Sequence, residues 1–198
     1  MGGAKALLSE RSGARSDIMI FVTVGTHEQP FDRLVHAIDL LKEQEVIVED
    51  VFIQTGYSRY QPRFCESANF LRFDGVQKKM AGARIIISHA GPASIMMALQ
   101  AGRIPIVFPR QKKYGEHVDN HQLDFCRRLE EKGMIMAVYD VSRLQPAILE
   151  FKKFEEILRQ KNGDYFYGIR IPYIARALDR YCLDLMTKGG PRERQVPF

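Results

Sequence analysis

The sequence predicts an α/β fold, a Rossmann-like open and mostly parallel sheet with helices on both faces. Three observations carry that expectation. The apolar runs Ile18–Val24, Ile85–Ile87 and Ile104–Phe108 are short and near-continuous, as strands buried on both faces are. They alternate with stretches of helical spacing. Polar loops bearing glycine or histidine follow them, at the strand ends where open α/β sheets bind ligands.

In chain order, Ile18–Val24 is the first strand, and Gly25-Thr26-His27-Glu28-Gln29-Pro30 is its polar loop. Residues 31–43 place Phe31, Leu34, Val35, Ile38 and Leu41 on one helical face. Asp50–Thr55 is a second strand, closed by Gly56, and the aperiodic, Arg-rich and aromatic residues 57–69 read as a loop. Asn69–Phe73 reads as a short strand and Gln77–Ala81 as a short helix. Strand Arg84–Ser88, helix Ala93–Ala101 and strand Ile104–Phe108 follow. A helix from Val118 to Lys132 stops at Gly133, which suits a left-handed C-terminal cap. Met134–Tyr139 is the last strand, and Ser142 opens another helix. Four segments result: a disordered leader at 1–17, the sheet domain at 18–151, a helical segment at 152–187 and a tail at 188–198. Within the helical segment, Ile174, Leu178, Tyr181 and Leu185 form a stripe suited to docking on a partner.

Composition narrows the function class. The 198 residues suit one domain with tails, and 45% hydrophobic content supplies a core. The net charge of +5 suits an anionic ligand, and no basic motif interleaved with aromatics points to nucleic acid. Cys65, Cys126 and Cys182 are odd in number and lack metal-ligand spacing, as expected of a reducing cytoplasm. No apolar run approaches the roughly 18 residues that span a bilayer.

Two loops concentrate the chemistry. In the first, Gly25 permits close backbone approach and Thr26 can hold a phosphate, while His27 and Glu28 form an adjacent acid–base pair. In the second, His89 follows the run 85–87 at the sheet edge. Gly91, Pro92 and Ala93 leave a helix N-terminus open, and Ser94 can cap it or bind a phosphate oxygen. Arg110, Glu116, Asp119, Asn120, His121 and Gln122 add donors and acceptors that suit sugar hydroxyls. His117 and His121 beside Glu116 do not form the zinc-binding HExxH pattern, so no metal is expected. Cys126, Met96 and Met97 read as packing residues.

These segments together resemble the family-28 glycosyltransferase C-terminal domain over roughly residues 18–151. Within that family the chain is most similar to the soluble subunit of split glycosyltransferases. Those include bacterial capsule and exopolysaccharide proteins with a start like MIFVTVGTHEQPFDRL and a stretch like PIVFPRQKKYGEHVDNHQ, and the cytosolic half of the eukaryotic dolichol-linked N-acetylglucosamine transferase. The resemblance implies the C-terminal, donor-binding half of a GT-B fold. It implies an inverting transfer from a UDP-sugar to a polyprenyl-diphosphate-linked saccharide, with no cofactor. The partner would be a membrane-anchored acceptor-binding subunit that recruits this cytoplasmic chain to the membrane's inner face. By position, Gly25, Thr26 and His27 match the diphosphate loop, and 70–74, including Phe73, match a strand end whose backbone reads uracil. Residues 89–94 match the loop over the donor diphosphate, and Asp119–Gln122 the sugar contacts. His27 or Glu28 is a candidate base, the alternative being a residue of the partner. Where many relatives carry an acidic residue on the ribose hydroxyls this chain has Met97, which cannot accept those bonds. Two rival expectations stand beside this one: a non-catalytic enhancer of the partner, and a UDP-sugar epimerase, against which the chain length argues.

Overall fold

The computed structural model describes residues 19–162. The leader, the stripe in 169–186 and the tail lie outside the described residues. Six parallel strands form one sheet in the order β3-β2-β1-β4-β5-β6. They are β1 Met19–Thr23, β2 Asp50–Gln54, β3 Glu66–Ala68, β4 Ala83–Ser88, β5 Ile106–Val107 and β6 Met136–Ala137. The α-helices are α1 Asp32–Glu43, α2 Phe73–Gly82, α3 Pro92–Gln100, α4 His121–Glu131, α5 Leu144–Leu149 and α6 Phe151–Asn162. Contacts divide the chain into two units after Lys152.

Period-two alternation along β1 and β4 builds two cores. Ile20, Val22, Ile85 and Ile87 face a cluster with Leu34, Val35 and Ile38 of α1 and Leu144 and Ile148 of α5. Phe21 and Ile86 face the opposite cluster, with Met80 of α2 and Ala98 of α3. Helices therefore cover both faces, as the unbroken apolar runs require. Met97 packs against that second cluster, so its side chain is committed to apolar contact.

The chain leaves β1 toward β2 and β3, then returns to the other side of β1 for β4, β5 and β6. That reversal makes a crevice between the carboxyl ends of β1 and β4, where open parallel sheets bind ligands.

Several elements depart from expectation. Asn69–Phe73 is not a strand. The edge strand is Glu66–Ala68, inside the stretch read as a loop, and it pairs with Phe52–Gln54. The chain breaks away at Asn69, whose carbonyl accepts the Gly56 amide (2.8 Å), and Phe73 already opens α2. The aromatic spacing of residues 70–73 mimics a strand, yet Phe73 is 66% exposed, so no sheet face is built from it. Helix α4 starts at His121 rather than Val118, because the Asp119 carboxylate accepts the His121 amide (3.0 Å) and holds a turn just before it. Strands β5 and β6 are shorter than the apolar runs that contain them, with Pro105 and Pro109 bracketing β5. Ser142 lies in a 3-10 turn that leads into α5.

Candidate functional site

The crevice is built around His89. Its amide donates to the Thr23 carbonyl (3.1 Å), which fixes the start of the β4 loop against the end of β1. Gly25 turns at φ +75°, and its amide donates to the Thr23 hydroxyl (3.2 Å), which in turn donates to Gln54 (3.0 Å). The imidazole edge then lies against two glycines. A Cβ on Gly25 would fall 2.4 Å from His89 Cε1, and one on Gly91 would fall 2.2 Å from Nε2. Only hydrogen at both positions leaves room for the ring.

His89 is 8% exposed, and its Nδ1 has no protein partner. Burial, with the Arg110 charge second, pushes its pKa down to about 3, so the ring is neutral at physiological pH. His27 is half-buried and is lowered as well, by burial first and then by Arg110 and His117. Its ring lies 4.9 Å from that of His117. A proton NMR titration is expected to keep His89 neutral from pH 8 to about pH 4 and to half-titrate His27 below the ordinary value of about 6.5. Because the unfolded chain binds the proton more readily than native His89 does, the stability this site contributes is complete above that ordinary value. It is lost as pH falls toward 3.

Helix α3 begins beside this ring. Gly91 is its N-cap, Pro92 occupies the first turn, and no side chain caps it. The first helical bond runs from Ile95 to the Gly91 carbonyl (3.1 Å), so the amides of Ala93 and Ser94 precede the ladder. Pro92, Ala93 and Thr26 are exposed and Ser94 is half-buried. Ser94 does not cap the helix. Uncapped amides at a helix N-terminus, with a neutral imidazole and the Thr26 hydroxyl nearby, suit a diphosphate.

The loop after β5 corrects two expectations. Arg110 is 0% exposed, and its guanidinium donates to the carbonyls of Val24 (2.9 Å), Gln29 (2.7 Å) and Glu116 (3.2 Å). Glu116, 3% exposed, accepts both Arg33 Nε (2.7 Å) and Nη2 (2.8 Å), and also the Gln111 amide (2.9 Å). Both side chains thus brace the loops, with the Arg110 Nη atoms and the Glu116 carboxylate spent on partners within the fold. The reason is burial: a charge taken from water takes the partners the fold places beside it, and of the Arg110 guanidinium nitrogens Nε alone has none. Desolvation lowers the Arg110 pKa to about 10 against the opposing pull of Glu116, which leaves it charged.

The remaining predicted residues divide between scaffold and surface. Gln122 accepts the Arg110 amide (3.0 Å), and Asn120 accepts that of Lys112 (3.2 Å). Asp119 lies between two imidazoles, 2.8 Å from His121 Nδ1 and 3.2 Å from His117 Nδ1. Its burial opposes ionisation, but the His121 amide and ring outweigh this and lower its pKa. His121 and Glu28 are exposed. Phe73 stands at the head of α2 rather than at a strand end. Nearby, Tyr57 and Phe70 meet edge to face at 5.1 Å and are partly exposed. Among the described residues no group of three His, Cys, Asp or Glu has the geometry to hold a metal ion. Sequence reading missed Arg33, at a polar position of the amphipathic α1, and Asp39, buried beside its apolar stripe; the helix carries no outward sign of their reach.

The family described as Glycosyltransferase family 28 C-terminal domain matches residues 19–164. The UDP-N-acetylglucosamine transferase subunit ALG13 of Homo sapiens is 28% identical over 123 positions, covering 58% of this chain and 10% of its own length. The same-named subunit of Yarrowia lipolytica is 33% identical over 67 positions, 34% of this chain and 32% of its own. Among solved structures, the glycosyltransferase of kitacinnamycin superposes with a TM-score of 0.56 at 15% identity, covering 95% of this chain and 47% of its own. The chain thus spans about half of that transferase and a smaller share of the two subunits. At such identity the structural likeness speaks for the fold, which is that of the C-terminal half of a GT-B glycosyltransferase.

Proposed function

We propose that this chain, which belongs to the glycosyltransferase family 28 C-terminal domain family, is the donor-binding part of a UDP-sugar glycosyltransferase. In this reading the donor pyrophosphate sits on the amides of Ala93 and Ser94 at the head of α3, with His89 and the Thr26 loop beside it. One observation carries it. Among the described residues, the buried side-chain polar atoms without a protein partner are His27 Nε2, Gln29 Oε1, Arg33 Nη1, His89 Nδ1 and Arg110 Nε. Four of them, on His27, Gln29, His89 and Arg110, belong to the loops at the carboxyl ends of β1, β4 and β5, whereas Arg33 stands on α1 and braces Glu116. Buried polar atoms are rarely left unpaired, so their concentration at one crevice marks where an outside partner binds.

The chemistry follows from that placement. An acceptor hydroxyl attacks the anomeric carbon as the bond to the UDP oxygen breaks, and the configuration inverts. Negative charge grows on the departing diphosphate, where fixed amides and a neutral imidazole N–H stabilise it without reorganisation. The acceptor proton goes to His27 or Glu28, or to a base on the acceptor-binding chain. His27 suits this role because its lowered pKa keeps it neutral.

The wider assignment is part of the same proposal. The acceptor would be a polyprenyl-diphosphate-linked saccharide of capsule or exopolysaccharide synthesis. A membrane-anchored partner would hold it and recruit this cytoplasmic chain. Among the described residues no helix is long and apolar enough to cross a membrane.

Calorimetric titration with UDP tests the core claim, first on the chain and then on the complex with its partner. Binding is expected for the wild type, and His89→Ala should weaken UDP binding and slow transfer by about 100-fold, the scale for removing one oxyanion donor. Unchanged UDP affinity and turnover in that variant would refute the assignment.

A further inference from the structure

We propose that Arg33 and Arg110 are positioning residues that clasp the loop after β1, here the first loop, and the loop after β5, here the second, into one unit, so that each loop keeps its geometry only while the other is in place. The consequence for donor recognition rests on the function proposed above, whereas the clasp itself does not. The sequence carries the same triplet pattern twice, Phe31-Asp32-Arg33 after the first loop and Phe108-Pro109-Arg110 at the start of the second. In space the two triplets interleave. The phenyl rings of Phe31 and Phe108 stack at 6.0 Å. Arg33 lies over Phe108 at 4.3 Å, and Arg110 lies over Phe31 at 4.7 Å.

The polar ends cross in opposite directions. Arg33 reaches from α1 into the second loop, where both oxygens of Glu116 and the Pro109 carbonyl (3.3 Å) accept from it. Arg110 reaches back into the first loop, to the carbonyls of Val24 and Gln29. A bidentate carboxylate pair and a guanidinium fork on carbonyls both fix direction as well as distance. The Glu116 carboxylate is taken by half-buried Arg33, while buried Arg110 finds only carbonyls, so an excess positive charge stays beneath the loops, where it favours an anionic ligand.

The two ties act on different parts of the site. The segment Asp119–Gln122 hangs from the second loop through Asn120 and Gln122, whereas His89 is anchored to β1 through its own amide. Loosening Arg33–Glu116 therefore disturbs the sugar-facing segment and spares the diphosphate cradle.

Hydrogen exchange on the full chain tests the clasp without any ligand. Arg33→Met is expected to raise exchange in 111–118, and Arg110→Met to raise it in 24–31, each across the gap from the substitution. Strand amides at 20–23 and 85–88 should stay protected as a control for folding. If Arg110→Met does not fold, Arg33→Met alone decides. A second arm compares UDP with UDP-N-acetylglucosamine. Arg33→Met should change UDP affinity by less than about threefold yet cut the relative affinity for the nucleotide sugar about tenfold. Arg33→Lys, which keeps the charge and loses the fork, should not rescue it. Exchange confined to the substituted loop, or equal loss of both ligands, would overturn the proposal. If the wild-type complex binds no UDP, the donor reading falls, and the exchange measurement still decides whether the loops are clasped.

Discussion

Gly25→Ala is expected to weaken UDP binding by at least about 100-fold and to destabilise the fold by roughly 2–5 kcal/mol. Two costs add. Gly25 sits at φ +75°, where an L side chain costs about 1–2 kcal/mol. The new Cβ would also overlap the His89 ring at 2.4 Å, and forcing a group into a packed site costs about 1–3 kcal/mol more. For a chain of this size that corresponds to a melting midpoint lower by roughly 5–15 °C. Gly91→Ala separates the two costs. Its backbone, at φ −72°, accepts alanine without strain, so only the 2.2 Å overlap with His89 remains. It should lose UDP binding to a similar extent with the smaller loss of stability. Gly25→Ala combined with His89→Gly should regain part of the stability but none of the affinity. Wild-type affinity in both alanine variants would show that the ring's position does not matter for the ligand.

The second large effect concerns Asp39, which is fully buried on α1. Its carboxylate accepts the Tyr60 hydroxyl (2.8 Å) and the amides of Arg63 (2.8 Å), Phe64 (2.9 Å) and Cys65 (3.0 Å). One side chain thus pins the irregular stretch that leads into the edge strand β3. Asp39→Ala would leave these donors without an acceptor, at about 1–3 kcal/mol for each one kept from water. Urea unfolding is expected to register a loss of about 3–5 kcal/mol, among the largest single-site effects in this chain. Burial alone would raise the Asp39 pKa, but the loop amides and Tyr60 outweigh it and the net shift is downward. The unfolded chain therefore binds this proton first. The stabilisation is complete above the ordinary carboxylate value of about 3.9 and is lost as pH falls through the depressed native value. The gap between wild type and Asp39→Ala should narrow at acid pH. A gap that stays constant to pH 2 would place the stabilisation elsewhere.

These two cases differ in how visible they are in the sequence. The glycines were legible as glycines beside a strand end, and His89 as a polar residue at the sheet's rim. What the sequence withheld is that both glycines exist to make room for one imidazole. That depends on β1 and β4 lying side by side although more than 60 residues separate them. Asp39 was less visible still. It interrupts the apolar stripe of an amphipathic helix, and its partners are amides of a loop over 20 residues away, which no local pattern can announce.

The loop after β5 shows the limit from the other side. Arg110 and Glu116 have the residue types of a sugar site, and the sequence offered them as ligand contacts. Burial decided otherwise, because a charged group withdrawn from water takes whatever partners the fold places beside it, and here those are carbonyls and a second arginine. Pattern alone determined the α/β class, the order of most strands and helices, and the position of two polar loops at strand ends. These follow from local periodicity and from glycine's backbone freedom, properties a sequence carries at each position. Only the tertiary structure decided which polar side chains face the crevice and which brace it, and it moved the edge strand from 69–73 to 66–68. Those outcomes depend on exposure and on pairing across the sheet, both of which are fixed by contacts between residues far apart in the chain.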